Sequence, residues 1–174
     1  MSKKIAELYS LHLFAAGALM SMGACEASPA SSPGQPGPSC SGTMTGMELQ
    51  AHRPVDGVYP ATDDYAHAME VRGAQRLLFV AGTMGLRQDG TPGATLAEQL
   101  DLVWSNIRAI LAAAQMTVDN IVRLTSYLTD ASHAGANAAA RVAALGGRVV
   151  PTTAIVVQTL DSGWLIEIEV IAAA

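Results

Sequence analysis

The spacing of apolar residues in the second half of the chain predicts two helices. Thr95 is followed three residues later by Glu98, which is the pattern of a capping box at a helix N-terminus. Apolar residues then recur at intervals of three and four, which predicts a helix over about residues 96–115. Alanines between residues 134 and 144 predict a second helix, because Gly146-Gly147 follows them and favours helix termination.

Two short extended runs precede the first helix. Residues 65–71 and 76–81 are separated by Gly73-Ala74-Gln75, and a β-hairpin is the simplest structure that such a pattern predicts. The loop residues Gly82-Thr83-Met84-Gly85 follow the second run.

Three further runs predict strands in the rest of the chain. Residues 121–129 are β-branched and alternating, so they predict a strand between the two helices. Residues 152–160 and 164–172 are joined by Asp161-Ser162-Gly163, a turn sequence that predicts an antiparallel hairpin.

The predicted element order is β-β-α-β-α-β-β, which is an α+β, two-layer fold with two helices on one sheet. Residues 155–157 are apolar on both predicted faces, and residues 165–168 are apolar apart from Glu167. A sheet whose second face is apolar has to be covered, so we expect the chain to self-associate.

Residues 1–24 resemble a bacterial lipoprotein signal peptide. Two lysines are followed by an apolar run, and small residues precede Cys25, which would become the lipidated N-terminus of an exported, periplasmic protein anchored only by its lipid. The alternative is that translation starts at Met44 or Met47, in which case the product is cytoplasmic.

The sequence divides after residue 47. Residues 25–47 are rich in Pro, Ser and Gly, which predicts a flexible linker. Residues 48–174 are long enough for one domain with its own core.

Charge and cysteine content exclude several kinds of partner and site. Beyond residue 47 the chain has eight Arg, no Lys and thirteen acidic residues, and such an acidic body argues against a nucleic-acid partner. Both cysteines precede residue 48, and the four histidines lack the spacing of metal ligands. The sequence therefore predicts neither a metal nor a cofactor.

Several local strings together resemble the RidA (YjgF) family of small trimeric enamine and imine deaminases over about residues 58–172. They are Tyr65-Ala66-His67-Ala68, Leu78-Phe79-Val80-Ala81-Gly82, Asn106, the run from Val122 to Asp130, and Ile166-Glu167-Ile168-Glu169-Val170-Ile171-Ala172. The resemblance implies a fold like that of chorismate mutase, a homotrimer with its sheets facing inward, and small-molecule clefts between neighbouring subunits.

The resemblance also implies roles for single residues. In the family an Arg shortly after a Pro binds the substrate carboxylate, and backbone amides near the strand-end glycine assist. A Glu of the last strand positions water. The glycine corresponds to Gly82 and the Glu to Glu167. The family's Pro-Ala-Arg-Ser is replaced by Pro151-Thr152-Thr153-Ala154, which puts Thr153 at the position of the Arg. A hydroxyl cannot replace a bidentate guanidinium, so we expect a substrate other than the usual α-imino acids. Arg148 either reaches back to this position or is an exposed loop residue.

Other candidates have functional and structural interpretations. Glu167 and Glu169 share a strand face by their spacing, so they form either an acid–base pair or a solvated face, and the resemblance favours Glu167 as the catalytic residue. Tyr65 either contacts a ligand or packs at a subunit edge. His67 is more often structural than catalytic in such a position, and Asn106 either ties a loop or neighbouring subunit or is simply exposed.

The leading hypothesis is hydrolytic deamination of a small imine, enamine or related C=N compound, with Glu167 directing water and with Tyr65, Gly82, Asn106 and Thr153 binding the substrate. The alternative is a non-catalytic, small-molecule-binding trimer that lacks the family Arg. A ribonuclease is disfavoured by the acidic body.

Overall fold

The structure is a computed structural model, and it describes residues 46–174. The predicted signal sequence, the lipidation candidate Cys25 and nearly all of the predicted linker lie outside the described residues. Residues 46–174 form six strands and two α-helices, so the predicted α+β class is confirmed. The strands are β1 (Glu48–His52), β2 (Ala68–Arg72), β3 (Leu77–Met84), β4 (Ile121–Leu128), β5 (Thr152–Val156) and β6 (Ile166–Ala173).

The two helices are α1 (Leu96–Ala113) and α2 (Ala134–Ala144), close to their predicted bounds. The hydroxyl of Thr95 accepts a hydrogen bond from the Glu98 amide at 3.2 Å. The Glu98 carboxylate accepts one from the amide of Ala94 at 2.7 Å, one residue before the position that a capping box would use. After α2, Gly146 and Gly147 have φ of 61° and 79°, a left-handed conformation that ends the helix.

The second predicted hairpin is wrong. The four-stranded sheet has the order β3-β6-β4-β5, so β6 lies between β3 and β4 and is antiparallel to both. β5 pairs in parallel with β4 and does not pair with β6. The Asp161 turn exists, because its carboxylate accepts from the Gly163 amide at 2.8 Å, but it belongs to a longer connection that carries the chain across the sheet.

The first predicted hairpin is also wrong. β2 pairs antiparallel with β1, a strand that the sequence analysis missed, and β3 pairs with β6. The sequence of β1, Glu-Leu-Gln-Ala-His, has one large apolar residue, and four of its five residues are exposed. Such a strand gives no alternation of apolar and polar residues to detect.

The core lies between the two helices and one face of the four-stranded sheet. The largest fully buried apolar side chains are Val103, Ile107 and Leu111 of α1, Ile121, Leu124 and Leu128 of β4, and Ile166, Ile168 and Val170 of β6. Trp104 is 3% exposed and belongs to this core.

Gln99 fastens the start of α1 to two loops. Its side chain, 2% exposed, donates to the carbonyls of Gly93 and Gly163 at 2.9 and 2.7 Å. Its carbonyl oxygen accepts from the amide of Leu165 at 2.8 Å. These bonds hold the segment that leads into β6 against α1.

The opposite sheet face has no covering layer within residues 46–174. It exposes large apolar side chains, with Leu77 59%, Phe79 71% and Ile155 45% exposed. Within the same residues, neither α-helix is long and apolar enough to cross a membrane.

Candidate functional site

A β-bulge in β3 shapes the first group of candidate residues. Val80 pairs with Val170 and Thr83 with Ile168, so two residues of β3 stand where β6 has one. The extra residue lies at Ala81-Gly82, at the end of the apolar run. A bulge bends the strand and changes the direction of the side chains beyond it.

Glu167 lies directly over the bare backbone of Gly82. A Cβ atom built on Gly82 would be 1.7 Å from Glu167 Oε1 and 2.6 Å from its Cδ. The place that a side chain would fill at residue 82 is therefore occupied by the Glu167 carboxylate. Sequence reasoning singled out both residues and assigned the close approach at Gly82 to a ligand, whereas in the structure the approaching group is Glu167.

Glu167 and Glu169 share a face of β6, as their spacing predicted. Both are half-buried, whereas the alternating residues Ile166, Ile168 and Val170 are buried on the core side. The hydroxyl of Tyr127 donates to Glu169 Oε1 at 3.0 Å, and this bond raises the pKa of the tyrosine. Glu169 is thus engaged by Tyr127, while Glu167 faces Gly82.

Asn106 fixes the end of β3 to α1. Its amide nitrogen donates to the carbonyls of Met84 and Leu86 at 3.2 and 2.9 Å. Asn106 and Gly82 also line an open cleft of about 400 Å³ with Ile110. Of its two predicted roles, tying a loop is the one these bonds show. We call Gly82 and Glu167 the Glu167 cluster.

Tyr65 and Thr153 line a different cavity, which we call the Tyr65 cleft. Its volume is about 240 Å³, and its walls are Tyr59, Tyr65, Ala66, His67, Arg123, Pro151, Thr152 and Thr153. The His67 ring lies between two tyrosine rings in edge contacts, with centroids 5.3 Å from Tyr59 and 5.7 Å from Tyr65.

The ring nitrogens of His67 are covered and have no hydrogen-bond partner within residues 46–174. A general base has to be within hydrogen-bond reach of the proton that it removes. His67 therefore forms part of the aromatic wall, which agrees with the structural role that was favoured for it.

A buried ion pair holds the loop that carries the tyrosines. Arg141 of α2 is 5% exposed, and its guanidinium donates to the Asp64 carboxylate and, at 3.2 Å, to the Asp64 carbonyl. Hydrogen bonding from the Thr62 hydroxyl lowers the pKa of Asp64 most, burial opposes it, and the charge of Arg141 adds to the lowering. The contact sets the position of Tyr65, which is the next residue.

Arg148 has neither of the two roles considered for it. It is half-buried, and one guanidinium nitrogen donates to the carbonyls of Val118 and Ile121 at 2.7 and 2.9 Å. Burial lowers the pKa of Arg148. Because this nitrogen is committed to backbone oxygens at the start of β4, Arg148 serves the fold and is not an exposed loop residue.

The Glu167 cluster and Thr153 are not neighbours within one chain. Thr153 pairs with Thr125 of β4, and Thr125 pairs with Glu169 on the far side. Strand β4 therefore separates β5 from β6, a distance of about 10 Å across the sheet. One chain thus places Glu167 against Gly82, and Tyr65 with Thr153, but does not join the two groups.

Sequence reasoning missed four side chains that shape these sites: Asp64, Arg123, Tyr127 and Arg141. Only Arg123 and Tyr127 carried a signal, since each is a polar residue in a run that is otherwise largely apolar or β-branched. Within residues 46–174 no three His, Cys, Asp or Glu side chains are grouped so that they could hold a metal ion.

Comparisons with known proteins extend this description. The profile of the family described as Endoribonuclease L-PSP matches residues 57–174. The RutC family protein YjgH of Escherichia coli is 48% identical over 54 residues, which are 31% of this chain and 41% of that protein. A RutC family protein of Aquifex aeolicus is 36% identical over 67 residues, 38% of this chain and 51% of the relative. The chain thus spans about half or less of these relatives' length.

Solved structures agree over a longer range. A protein of the conserved Rid family from Yersinia pestis, described as of unknown function, is 28% identical, with a TM-score of 0.65 over 72% of this chain and 98% of that one. The structure of YjgH is 35% identical, with a TM-score of 0.53 over 63% of this chain and 82% of that one. The family profile covers more than half of this sequence, and the fold agrees with it. The chain therefore belongs to the Endoribonuclease L-PSP family, which is the RidA (YjgF) family that its motifs indicated.

Proposed function

We propose that this protein hydrolyses a small imine, enamine or related C=N compound and releases ammonia. The observation that carries the proposal is the Glu167 carboxylate lying against the bare backbone of Gly82. In this position a carboxylate can accept a proton from a water molecule near a flat substrate that lies along the strand. Neighbouring Glu169 is occupied by Tyr127, which leaves Glu167 as the group with a free role.

The reaction needs one water and no redox step. The water oxygen adds to the carbon of the C=N bond while Glu167 accepts a water proton. The nitrogen then takes the proton held by Glu167, which gives a carbinolamine and restores the carboxylate. As the C–N bond breaks, the hydroxyl proton passes to the departing nitrogen, so ammonia leaves and a carbonyl compound remains. An enamine follows the same route after a proton moves to its carbon and converts it to the imine.

The site is proposed to be complete only in a homotrimer. Thr153 of the Tyr65 cleft and Glu167 lie on strands that β4 separates by about 10 Å, so a neighbouring copy would have to bring the cleft and the carboxylate together. The uncovered sheet face, with Leu77, Phe79 and Ile155 exposed, gives the copies an apolar surface to bury. Light scattering of the full chain at micromolar concentration should give the mass of three copies, and a stable monomer would contradict the arrangement.

The catalytic proposal is tested by ammonia release from freshly generated imines and enamines. Glu167→Gln keeps the size of the side chain and removes its basicity, so we expect a loss of at least about 100-fold. Glu169→Gln is the matched control on the same strand face and should lose less. Equal activity in wild type and Glu167→Gln would contradict the role of Glu167.

The second candidate function is non-catalytic binding of a small molecule. It is favoured by Thr153, which stands where the family has the Arg that grips a carboxylate. A binding protein would show saturable stabilisation by a ligand without ammonia release from any imine. The body's eight Arg, absence of Lys and thirteen acidic residues disfavour nuclease activity, despite the word endoribonuclease in the family description.

A further inference from the structure

We infer that Arg123 is the residue that holds a carboxylate in the Tyr65 cleft, and that the substrate is therefore a small organic anion. The inference rests on the proposed function, because it names the substrate class of the same site. It assigns the anion contact to strand β4, next to the strand where the family places its Arg.

The register of the sheet puts Arg123 beside Thr153. Thr125 pairs with Thr153 in the parallel β4–β5 ladder, and Arg123 lies two residues earlier on β4. Residues two apart on a strand project to the same face, so Arg123 and Thr153 lie on one face. Arg123 lines the Tyr65 cleft together with Thr153, Tyr65 and Tyr59.

Arg123 is also free to bind. Six of the eight arginines make hydrogen bonds to backbone or carboxylate groups: Arg53, Arg72, Arg76, Arg87, Arg141 and Arg148. Among residues 46–174, Arg123 makes no such bond and no ion pair, and its side chain is exposed. A guanidinium at the wall of a cavity, with its donors unused, is suited to a planar carboxylate that can accept two parallel hydrogen bonds.

The nearest competing acceptor is already engaged. Glu169 and Arg123 line a smaller cavity of about 140 Å³ on the uncovered sheet face, but they form no ion pair within 4.0 Å. The Glu169 carboxylate accepts the Tyr127 hydroxyl instead, at 3.0 Å. The arginine is therefore left to an anion from outside the chain, and the exposed hydroxyl of Thr153 can add one donor to the same anion.

Binding of propanoate to the full chain tests this inference, with propanamide as the uncharged probe of the same shape. We expect saturable propanoate binding by isothermal titration calorimetry, no measurable propanamide binding, and at least tenfold weaker propanoate binding in Arg123→Gln. Arg108→Gln is the matched control, because Arg108 is also exposed and makes no hydrogen bond or ion pair within the described residues. It should bind propanoate like wild type.

A second measurement observes binding in the wild-type protein and uses a conservative variant only to assign the signal. Propanoate should shift one arginine Nε–H signal in the nitrogen-15 NMR spectrum of the wild-type protein, and the Arg123→Lys spectrum should lack that signal. No propanoate binding at 50 mM, or unchanged affinity in Arg123→Gln, would overturn the inference.

The two proposals fail in different ways. If Arg123 binds propanoate but no imine releases ammonia, the anion site stands and the deaminase proposal fails. If imines are hydrolysed and Arg123→Gln changes neither KM nor propanoate affinity, the reaction stands and the anion site fails.

Discussion

Replacing Gly82 by Ala tests whether the position of Glu167 serves chemistry or the fold. The added Cβ would lie 1.7 Å from Glu167 Oε1, so the two groups cannot occupy their present positions together. The atoms in the way belong to the far end of a flexible side chain. We therefore expect the carboxylate to turn aside while the backbone stays in place.

The cost to stability should be small. Moving Glu167 out of its rotamer costs about 0.5 to 1.5 kcal/mol, and replacing Gly by Ala at a permitted backbone conformation returns about 0.4 to 1 kcal/mol. Gly82 does not have a positive φ, so its backbone permits Ala. We expect the free energy of unfolding to change by less than about 1 kcal/mol, but ammonia release to fall at least about 100-fold, because a displaced base cannot reach the water.

Gly85→Ala is the matched control, three residues away. Its Cβ would lie 2.4 Å from the backbone oxygen and 2.5 Å from the Cα of Gln99, and neither atom can rotate away. The start of α1 would have to move from β3, so we expect a loss of about 3 kcal/mol.

Urea denaturation at one protein concentration compares the stability of the two glycine variants. Measuring Gly82→Ala also in a Glu167→Ala background isolates the contact between the new Cβ and Glu167. Glu167→Ala removes the three atoms nearest to the new Cβ, so Gly82→Ala should carry no cost from this contact in that background. If Gly82→Ala is as destabilising as Gly85→Ala, the carboxylate is fixed by the fold. If it retains full activity, Glu167 does not act from its present position.

Three further predictions concern contacts that support the site. Asp64→Asn should destabilise the protein by about 2 kcal/mol in urea denaturation, because it leaves the buried Arg141 without its charged partner, although Asp64 itself is partly exposed. Folding lowers the pKa of Asp64, so the Asp64 carboxylate should stabilise the protein fully above its pKa in the unfolded chain. This stabilisation should disappear as the pH falls through the pKa of Asp64 in the folded protein, and the stability of Asp64→Asn should lack this pH dependence. Gln99→Leu should cost about 3 kcal/mol in the same assay, because the carbonyls of Gly93 and Gly163 and the amide of Leu165 lose their partner. In a spectrophotometric titration Tyr127 should ionise above the usual tyrosine pKa, and Glu169→Gln should reduce this shift, because burial and Glu167 keep only part of it; an unchanged titration would contradict the hydrogen bond.

The sequence predicted those parts of the fold that depend on residues close together in the chain. The helix at Leu96–Ala113 follows from its spacing and the Thr95 cap, and the strand at Ile121–Leu128 from its alternation. Strand pairing depends on residues far apart in sequence, and both predicted hairpins were wrong for that reason. The turn at Asp161-Ser162-Gly163 is present, yet no local signal showed that β6 would enter between β3 and β4.

The same distinction applies to the candidate site. Glu167 and Gly82 were identified from family motifs, but the contact between them joins residues that are 85 positions apart and depends on the β3 bulge. Arg123 was overlooked and Arg148 considered in its place, because sequence distance from Thr153 favoured Arg148. In the structure, the parallel pairing of β4 with β5 brings Arg123 to the Tyr65 cleft. Arg148, although closer in sequence, donates to the carbonyls of Val118 and Ile121 instead.

The register of the sheet also supports the proposal that an Arg on β4 serves as the anion contact. In the parallel ladder, Thr153 and Arg123 lie on adjacent strands and on one face, so a guanidinium on either strand can reach the same cavity. The guanidinium of Arg123, on β4, reaches the cavity near the start of β5. Pro151 forms an isolated β-bridge with Ala66 at this end of the strand. A carboxylate held by Arg123 would therefore be displaced toward Tyr65 relative to one held at Thr153.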